Sequence, residues 1–417
     1  MRWLRHGGWM AAIAIVSGAG GILLAYFQEM GSPTLRASTP APPSTTRFLV
    51  VGGGGAPSYN EIALEKNVLY FQRTLNALGL GNAPSRIFFA NGNNNQATVR
   101  YLDPQGREQF KAPEIPNLDG PATLQNVRQW VQSLPGVVGN TPCSAFFYFT
   151  GHGALNRRDA NNNALILWGE DHLSVRSLAT WLDAWPTDVP FVTMMAQCYS
   201  GSFANLIYEG GDPNNPIAMQ PRCGFFATVK TRPSVGCTPL VNEADYADYS
   251  SSFFAGLSGR DRLGNPVPSA DYDENGTVSF AEAHAFAKID KVTPDWPIST
   301  AEAWLQDQAT PSDRQRILAT PINTWLQQAR PDQQAVITAL SEKLGFRLDQ
   351  AFQNNRPATA SGRSHGQAAP AEVQDAYRMR LQMELMNVGM EQQIRQGADS
   401  EAIAALDKLL ACEASRW

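Results

Sequence analysis

Short apolar runs that end in glycine or small polar residues alternate along the chain with segments whose apolar residues recur every three to four positions. Arg47-Phe-Leu-Val-Val, followed by four glycines, reads as a buried strand running into a loop. Helical spacing follows from about Glu61 to Leu78 and is closed by Gly79. Arg86-Ile-Phe-Phe-Ala predicts a second strand and residues 124–134 a helix. Ser144-Ala-Phe-Phe-Tyr-Phe-Thr predicts a third strand, residues 173–185 a helix stopped by Pro186, and Pro190-Phe-Val-Thr-Met-Met-Ala a fourth strand. Strands alternating with helices imply an α/β fold with a mainly parallel central sheet covered on both faces, and ligands that bind beyond the carboxyl ends of its strands. From about Trp296 the pattern turns helical. Tyr377, Leu381, Leu385 and Val388 mark one late helix, 402–410 another, and Gly397-Ala-Asp-Ser the break between them.

The flanks divide the chain. An uncharged run from Gly7 to Phe27 follows Arg2 and Arg5, and at about 1.5 Å per residue it just spans a hydrocarbon core. Residues 1–31 therefore read as a signal anchor or a cleaved signal peptide, with the anchor favoured because no clean cleavage site follows. The expected location is the cell envelope: a periplasmic domain on an inner-membrane anchor, or a secreted protein if the signal is removed. Residues 32–46 form a Pro/Ser/Thr linker and residues 354–370 a second polar linker. The main body is then 47–295, a helical extension 296–353, and a pair of C-terminal helices 371–417. At 417 residues the chain has ample length for a core, and 43% hydrophobic against 17% charged residues excludes a charged disordered chain. A net charge of −5 offers no footprint for nucleic acid.

The chemistry sits at two strand ends. Thr150-Gly-His-Gly closes one strand and Gln197-Cys-Tyr-Ser-Gly-Ser the next. A histidine between glycines is sterically open, and a cysteine entering a Ser/Gly turn is similarly presented. Brought together on neighbouring strands, imidazole and thiol form a nucleophile and its base, with backbone amides nearby to hold an oxyanion.

Phe146-Phe-Tyr-Phe-Thr-Gly-His-Gly, followed by Val192-Thr-Met-Met-Ala-Gln-Cys-Tyr-Ser-Gly-Ser, resembles the caspase-like (clan CD) cysteine peptidases, bacterial caspase-family proteins among them, and most of all the legumain branch. The resemblance covers about residues 47–290. It implies a caspase-like three-layer αβα sandwich and a cysteine endopeptidase acting on a protein or peptide substrate. His152 would be base and acid, Cys198 the thioester-forming nucleophile, and the amides of Gly153 and Cys198 the oxyanion hole. The transamidase branch of the family, or a calcium-stabilised binding module without activity, is the alternative. Asn60 is the nearest equivalent of a histidine-orienting asparagine; otherwise it caps the helix that follows. The chain departs from the pattern at Ala196, where legumains carry an acid that reads the P1 side chain. Glu61, Asp245 and Asp248 could supply an acidic P1 pocket in its place; otherwise, and more commonly, such residues are solvated surface carboxylates.

Residues 271–282, Asp-Tyr-Asp-Glu-Asn-Gly-Thr-Val-Ser-Phe-Ala-Glu, match an EF-hand calcium loop. Asp271, Asp273, Asn275, Thr277, Ser279 and Glu282 occupy its liganding positions, with Gly276 at the turn. No helix is expected before the loop, so the reading is one structural Ca²⁺ site and no organic cofactor. The five cysteines are an odd number. In an oxidising space four can pair and Cys198 remains free. Cys223 and Cys237, close in sequence, are the expected bridge, with Cys143 and Cys412 the leftover pair. His172, His284 and His365 show no metal-ligand spacing, and Trp181 and Trp185 read as core. Met379, Met383, Met386 and Met390 read as packing more than as a contact face.

Overall fold

The structure is a computed structural model that describes residues 46–134, 144–290, 292–356 and 370–417. The expected signal segment, all but the last residue of the first linker, Cys143, His365 and most of the second linker lie outside the described residues. Among the described residues no helix is long and apolar enough to cross a membrane.

Among the described residues six strands form the central sheet: β1 (Arg47–Gly53), β2 (Ser85–Phe89), β5 (Ala145–Gly151), β9 (Phe191–Met195), β10 (Arg222–Phe226) and β11 (Ile298–Ser299). Their order is β11-β10-β9-β5-β1-β2. All pairs are parallel except β10 with β11. β3 (Val99–Leu102) and β4 (Glu108–Lys111) make a separate hairpin, and β6 (Gly153–Ala154), β7 (Ala164–Leu167) and β8 (Asp171–Ser174) a small antiparallel sheet. Every residue of β5, β9 and β10 is buried, which is why these strands read as unbroken apolar runs.

Alternate side chains serve two cores. Phe48, Val50, Phe146, Tyr148, Met194 and Phe225 face α1 (Ile62–Ala77), α4 (Tyr249–Ser258) and α5 (Phe280–Asp290). Leu49, Val51, Phe147, Phe149, Phe191 and Phe226 face α2 (Leu124–Ser133) and α3 (Val175–Leu182). Helices therefore cover both faces of a mainly parallel sheet, as the pattern predicts. The helical extension contains α6 (Thr300–Asp307), α7 (Pro311–Ala319), α8 (Ile322–Leu326) and α9 (Pro331–Leu344). With α10 (Ala371–Gln396) and α11 (Ser400–Glu413) it builds a third core around Ile317, Ile337, Leu340, Leu381 and Leu385. Met383, Met386 and Met390 are buried, and Trp185 lies in the core beneath α3, so both stretches pack as expected.

Four expectations are corrected. The α/β body does not stop at residue 295: Ile298 and Ser299 pair with Phe226 and Phe225 as the edge strand. The helix expected from Leu173 begins at Val175, because 171–174 pair with β7 and Ser174 caps the helix through Ser177 N–H (3.2 Å). The second linker begins later than 354, since Asn355 is buried and accepts from Arg347 N–H (2.7 Å). Finally, Cys223 bonds to Cys412, not to Cys237. Cys223 points from β10 into the core against which α11 packs, whereas Cys237 lies in the loop beyond the strand ends and stays a free thiol. Cys412 is thereby unavailable to Cys143.

Candidate functional site

The parallel register brings four strand ends to one edge: Gly53 lies beside Gly151, Phe149 beside Met195, and Met195 beside Phe226. His152 leaves β5 and Cys198 follows β9 by three residues. The two turns pack backbone to backbone. A Cβ at position 153 would fall 2.0 Å from the Cys198 carbonyl oxygen, so only glycine fits there. Tyr199, just after the cysteine, holds a left-handed φ of 60°, a strained conformation of the kind that gathers at functional sites. Ile166 N–H donates to His152 C=O (3.0 Å), so Gly153 occupies a non-hydrogen-bonded position opposite Leu165 and its N–H turns away from β7. Among the described residues no acceptor takes the Cys198 N–H. These are the two amides expected for an oxyanion hole.

The Cys198 thiol is half-buried. It accepts from Ser234 N–H (3.4 Å) and donates to Ser234 C=O (3.6 Å), both in the loop after β10. No hydrogen bond joins it to His152 in this structure, and such bonds often tighten only when substrate is present. His152 Nε2 donates to Glu61 Oε2 at 3.0 Å, and the ring packs edge-on against Tyr59, with centroids 5.2 Å apart. Among the described residues no partner takes Nδ1, which leaves that nitrogen to exchange a proton.

Glu61 is the residue that orients the imidazole. Its other oxygen accepts from Arg100 Nη2 (2.8 Å), and Arg100 also reaches Glu108 (3.1 Å). Burial alone would raise the Glu61 carboxyl; the bond and charge of His152, together with Arg100, outweigh it and hold the carboxyl below its ordinary value of 4.5. Asn60, by contrast, does not touch the histidine and does not cap α1, whose N-cap is Glu61. It is fully buried, accepts from Gly54 N–H (3.0 Å) and donates to Thr98 C=O (3.1 Å), so it secures the glycine loop after β1. The three carboxylates that could make an acidic pocket do not come together. Asp248 is buried as the N-cap of α4, bonded to Ser251 N–H and Asn67 Nδ2 (both 2.8 Å), and faces Arg262. Asp245 is exposed and bonded to Asn242 (2.7 Å). Ala196 is buried against the core.

Several site residues carry no local signal in the sequence. Asn67 Nδ2 donates to Thr150 Oγ1 (2.9 Å) beneath the histidine turn. Asn163 Nδ2 donates to Tyr199 C=O (3.4 Å) and Lys230 C=O (2.9 Å), tying the cysteine turn to the loop after β10. Cys237, assigned to a disulfide by proximity, instead directs its Sγ at Gly151 C=O (3.7 Å) beside the histidine. His284 is buried between Tyr249 and Glu302, and His172 is exposed, so neither joins the site.

The acidic loop folds as its pattern predicts. Asp271, Asp273 and Glu282 each bring a carboxylate oxygen within 4.8 Å of the others. Asp271 accepts from Asn275 N–H (3.0 Å) and Gly276 N–H (2.9 Å); Glu282 accepts from Tyr272 N–H (2.9 Å) and from both Ser279 N–H and Oγ (2.8 Å each). Glu274 and Gly276 turn the chain with positive φ. Residues 259–270, between α4 and the loop, are not helical. An all-oxygen donor set on such a turn fits Ca²⁺.

Comparison with known proteins adds little. No family model matches the chain, and no curated protein matches it. Among solved structures, protein GSU0716 from Geobacter sulfurreducens aligns over 58% of this chain and 88% of its own, at 11% identity and a TM-score of 0.32.

Proposed function

We propose that this chain is a cysteine endopeptidase of the caspase-like kind, built as a three-layer sandwich, with Cys198 as nucleophile and His152 as base and acid. The observation that carries the reading is the seating of Gly153 against the Cys198 carbonyl, which sets the Gly-His-Gly and Cys-Tyr-Ser-Gly-Ser turns side by side on adjacent strand ends. In the reaction His152 Nδ1 takes the thiol proton as sulfur attacks the scissile carbonyl carbon. The oxyanion forms near the Gly153 and Cys198 amides. Collapse breaks the C–N bond, the imidazolium gives its proton to the leaving amine, and a thioester remains. Water, deprotonated by the same imidazole, then releases the acid and restores the thiol. Glu61 keeps the ring aimed and balances the imidazolium charge.

The loop at 271–282 is read as a structural Ca²⁺ site held by Asp271, Asp273, Asn275, Thr277, Ser279 and Glu282. An exported location is supported by the Cys223–Cys412 disulfide. The test is labelling of the full chain, with calcium, by acyloxymethyl-ketone probes that vary P1. Labelling is expected in the wild type and lost in both Cys198→Ala and His152→Ala. Absence of labelling across a broad P1 panel, or labelling that survives Cys198→Ala, overturns the reading.

A further inference from the structure

The histidine belongs to a second constellation as well, whose thiol the peptidase chemistry leaves unused. Glu61 precedes α1, His152 follows β5, and Cys237 sits in the loop beyond β10; they bring a carboxylate oxygen, an imidazole nitrogen and a thiol sulfur within 4.8 Å of one another. Cys237 is not in a disulfide, and its Sγ–H is spent only on a long contact to Gly151 C=O. Glu61 is almost fully buried and already fixed by Arg100, as ligating carboxylates commonly are.

We propose that Glu61, His152 and Cys237 bind a borderline-soft divalent cation of the Zn²⁺ class, and that binding shuts the peptidase site. The donor set decides the class. Thiolate and imidazole suit zinc, whereas Ca²⁺ and Mg²⁺ demand oxygen. Zinc bonds of 2.0–2.3 Å place tetrahedral ligands roughly 3.3–3.8 Å apart; the His152–Glu61 pair, at 3.0 Å, is near that spacing already, and the sulfur, within 4.8 Å of both, reaches it by a shift of at most about 1.5 Å. That movement falls on Cys237, which follows Gly236 (φ 132°) in a loop outside the sheet. The balance is simple: the Cys237 thiol gives its proton to solvent, the proton that Nε2 shared with Glu61 passes through solvent to Nδ1, and sulfur, Nε2 and a carboxylate oxygen bind the cation in place of the His152–Glu61 hydrogen bond. The fourth position is left for water. The thiol that ligates is Cys237 and not Cys198, so the nucleophile keeps a free sulfur while its base is captured. Inhibition rests on the function proposed above; binding does not.

The test uses the full chain with Cys143→Ala throughout, so that Cys198 and Cys237 are the only thiols, and with calcium present. Co²⁺ titrated into the Cys198→Ala variant is expected to give a one-to-one complex with a thiolate-to-cobalt absorption band that Zn²⁺ displaces. Cys237→Ser should abolish the band and weaken Zn²⁺ binding at least ~100-fold, since losing even an outer-shell partner costs 10–100-fold. With Cys198 restored, Zn²⁺ should shield Cys237 but not Cys198 from iodoacetamide. It should also suppress turnover in the Cys143→Ala chain and leave that of the same chain carrying Cys237→Ser level. A band retained in Cys237→Ser, shielding of Cys198 in place of Cys237, or no band in a folded protein overturns the proposal. Because the band is read without substrate, a positive titration beside failed probe labelling removes the peptidase reading alone, and the reverse removes only the metal site.

Discussion

Asn60 and Glu61 are neighbours in the chain, yet they support different things: Asn60 holds the backbone of the glycine loop, and Glu61 holds the imidazole. Glu61→Gln keeps the shape and loses the charge that balances an imidazolium. Its kcat is expected to fall roughly 10²-fold with little change in KM, the scale of a positioned acid–base group. In stability the sign is fixed by direction. The Glu61 carboxyl is depressed in the folded chain, so its contribution is complete above 4.5 and is lost as pH falls through the lower folded value. The stability deficit of Glu61→Gln should therefore shrink in acid. Asn60→Ala should act on denaturation instead, costing about 1–3 kcal/mol for the buried Gly54 N–H it leaves unpaired. An Asn60→Ala variant that keeps its melting point but loses turnover would reverse these assignments. Glu61 was legible as a candidate acid, but not as the partner of His152. That contact spans 91 residues, and nothing local distinguishes a carboxylate that pairs from one that lines a pocket. Arg100 and Asn163 were illegible for the same reason.

At the scale of elements, the sequence is most readable where burial is most complete. β1, β5 and β9 carry unbroken apolar runs and end in glycine or small residues, so both strand-end motifs could be placed. The short strands β6, β7 and β8 have half-exposed, weakly alternating residues and were missed. Also missed was the anchor of the loop that carries Ser234 and Cys237. Asp295 is buried, its Oδ1 accepts from Val235 N–H (3.0 Å), and its Oδ2 has no partner among the described residues. Burial pushes its carboxyl up to about 7. Between its ordinary value of 3.8 and about 7 the folded chain keeps a proton that the unfolded chain has lost. Stability should therefore fall as pH rises across that window, by up to about 1.4 kcal/mol per unit. Asp295→Asn removes this titration. Its melting point should gain on the wild type from pH 4 to 7 and keep a constant offset above. A gap that is flat with pH would place the titration elsewhere.

At the scale of the molecule, the last residues are fastened at four points. Cys412 is bonded to Cys223 on β10. Ser415 C=O accepts from Phe280 N–H (3.0 Å), and Arg416 donates to Thr277, both partners in the acidic loop at 271–282. Trp417 then packs among Phe48, Phe71, Phe146 and Phe280 beneath the sheet, with its ring 4.8 Å from that of Phe146. Sequence distance misassigned this bridge because short loops close most readily, while the choice of partner was made by packing, which brought Cys412 to Cys223 across 189 residues. Removing it with Cys412→Ser should cost about 2–5 kcal/mol in chemical denaturation. The larger consequence follows from linkage. If Ca²⁺ orders the loop that grips Ser415 and Arg416, docking of the tail and binding of the ion must favour each other by one and the same factor. Chelation should then raise hydrogen exchange at residues 412–417 and change Trp417 fluorescence, and Cys412→Ser should weaken Ca²⁺ binding measured by calorimetry. Each effect should be absent in Glu282→Gln, which removes the bidentate ligand. Ca²⁺ affinity that is indifferent to Cys412→Ser, in a protein that still folds, would show that loop and tail touch without being coupled.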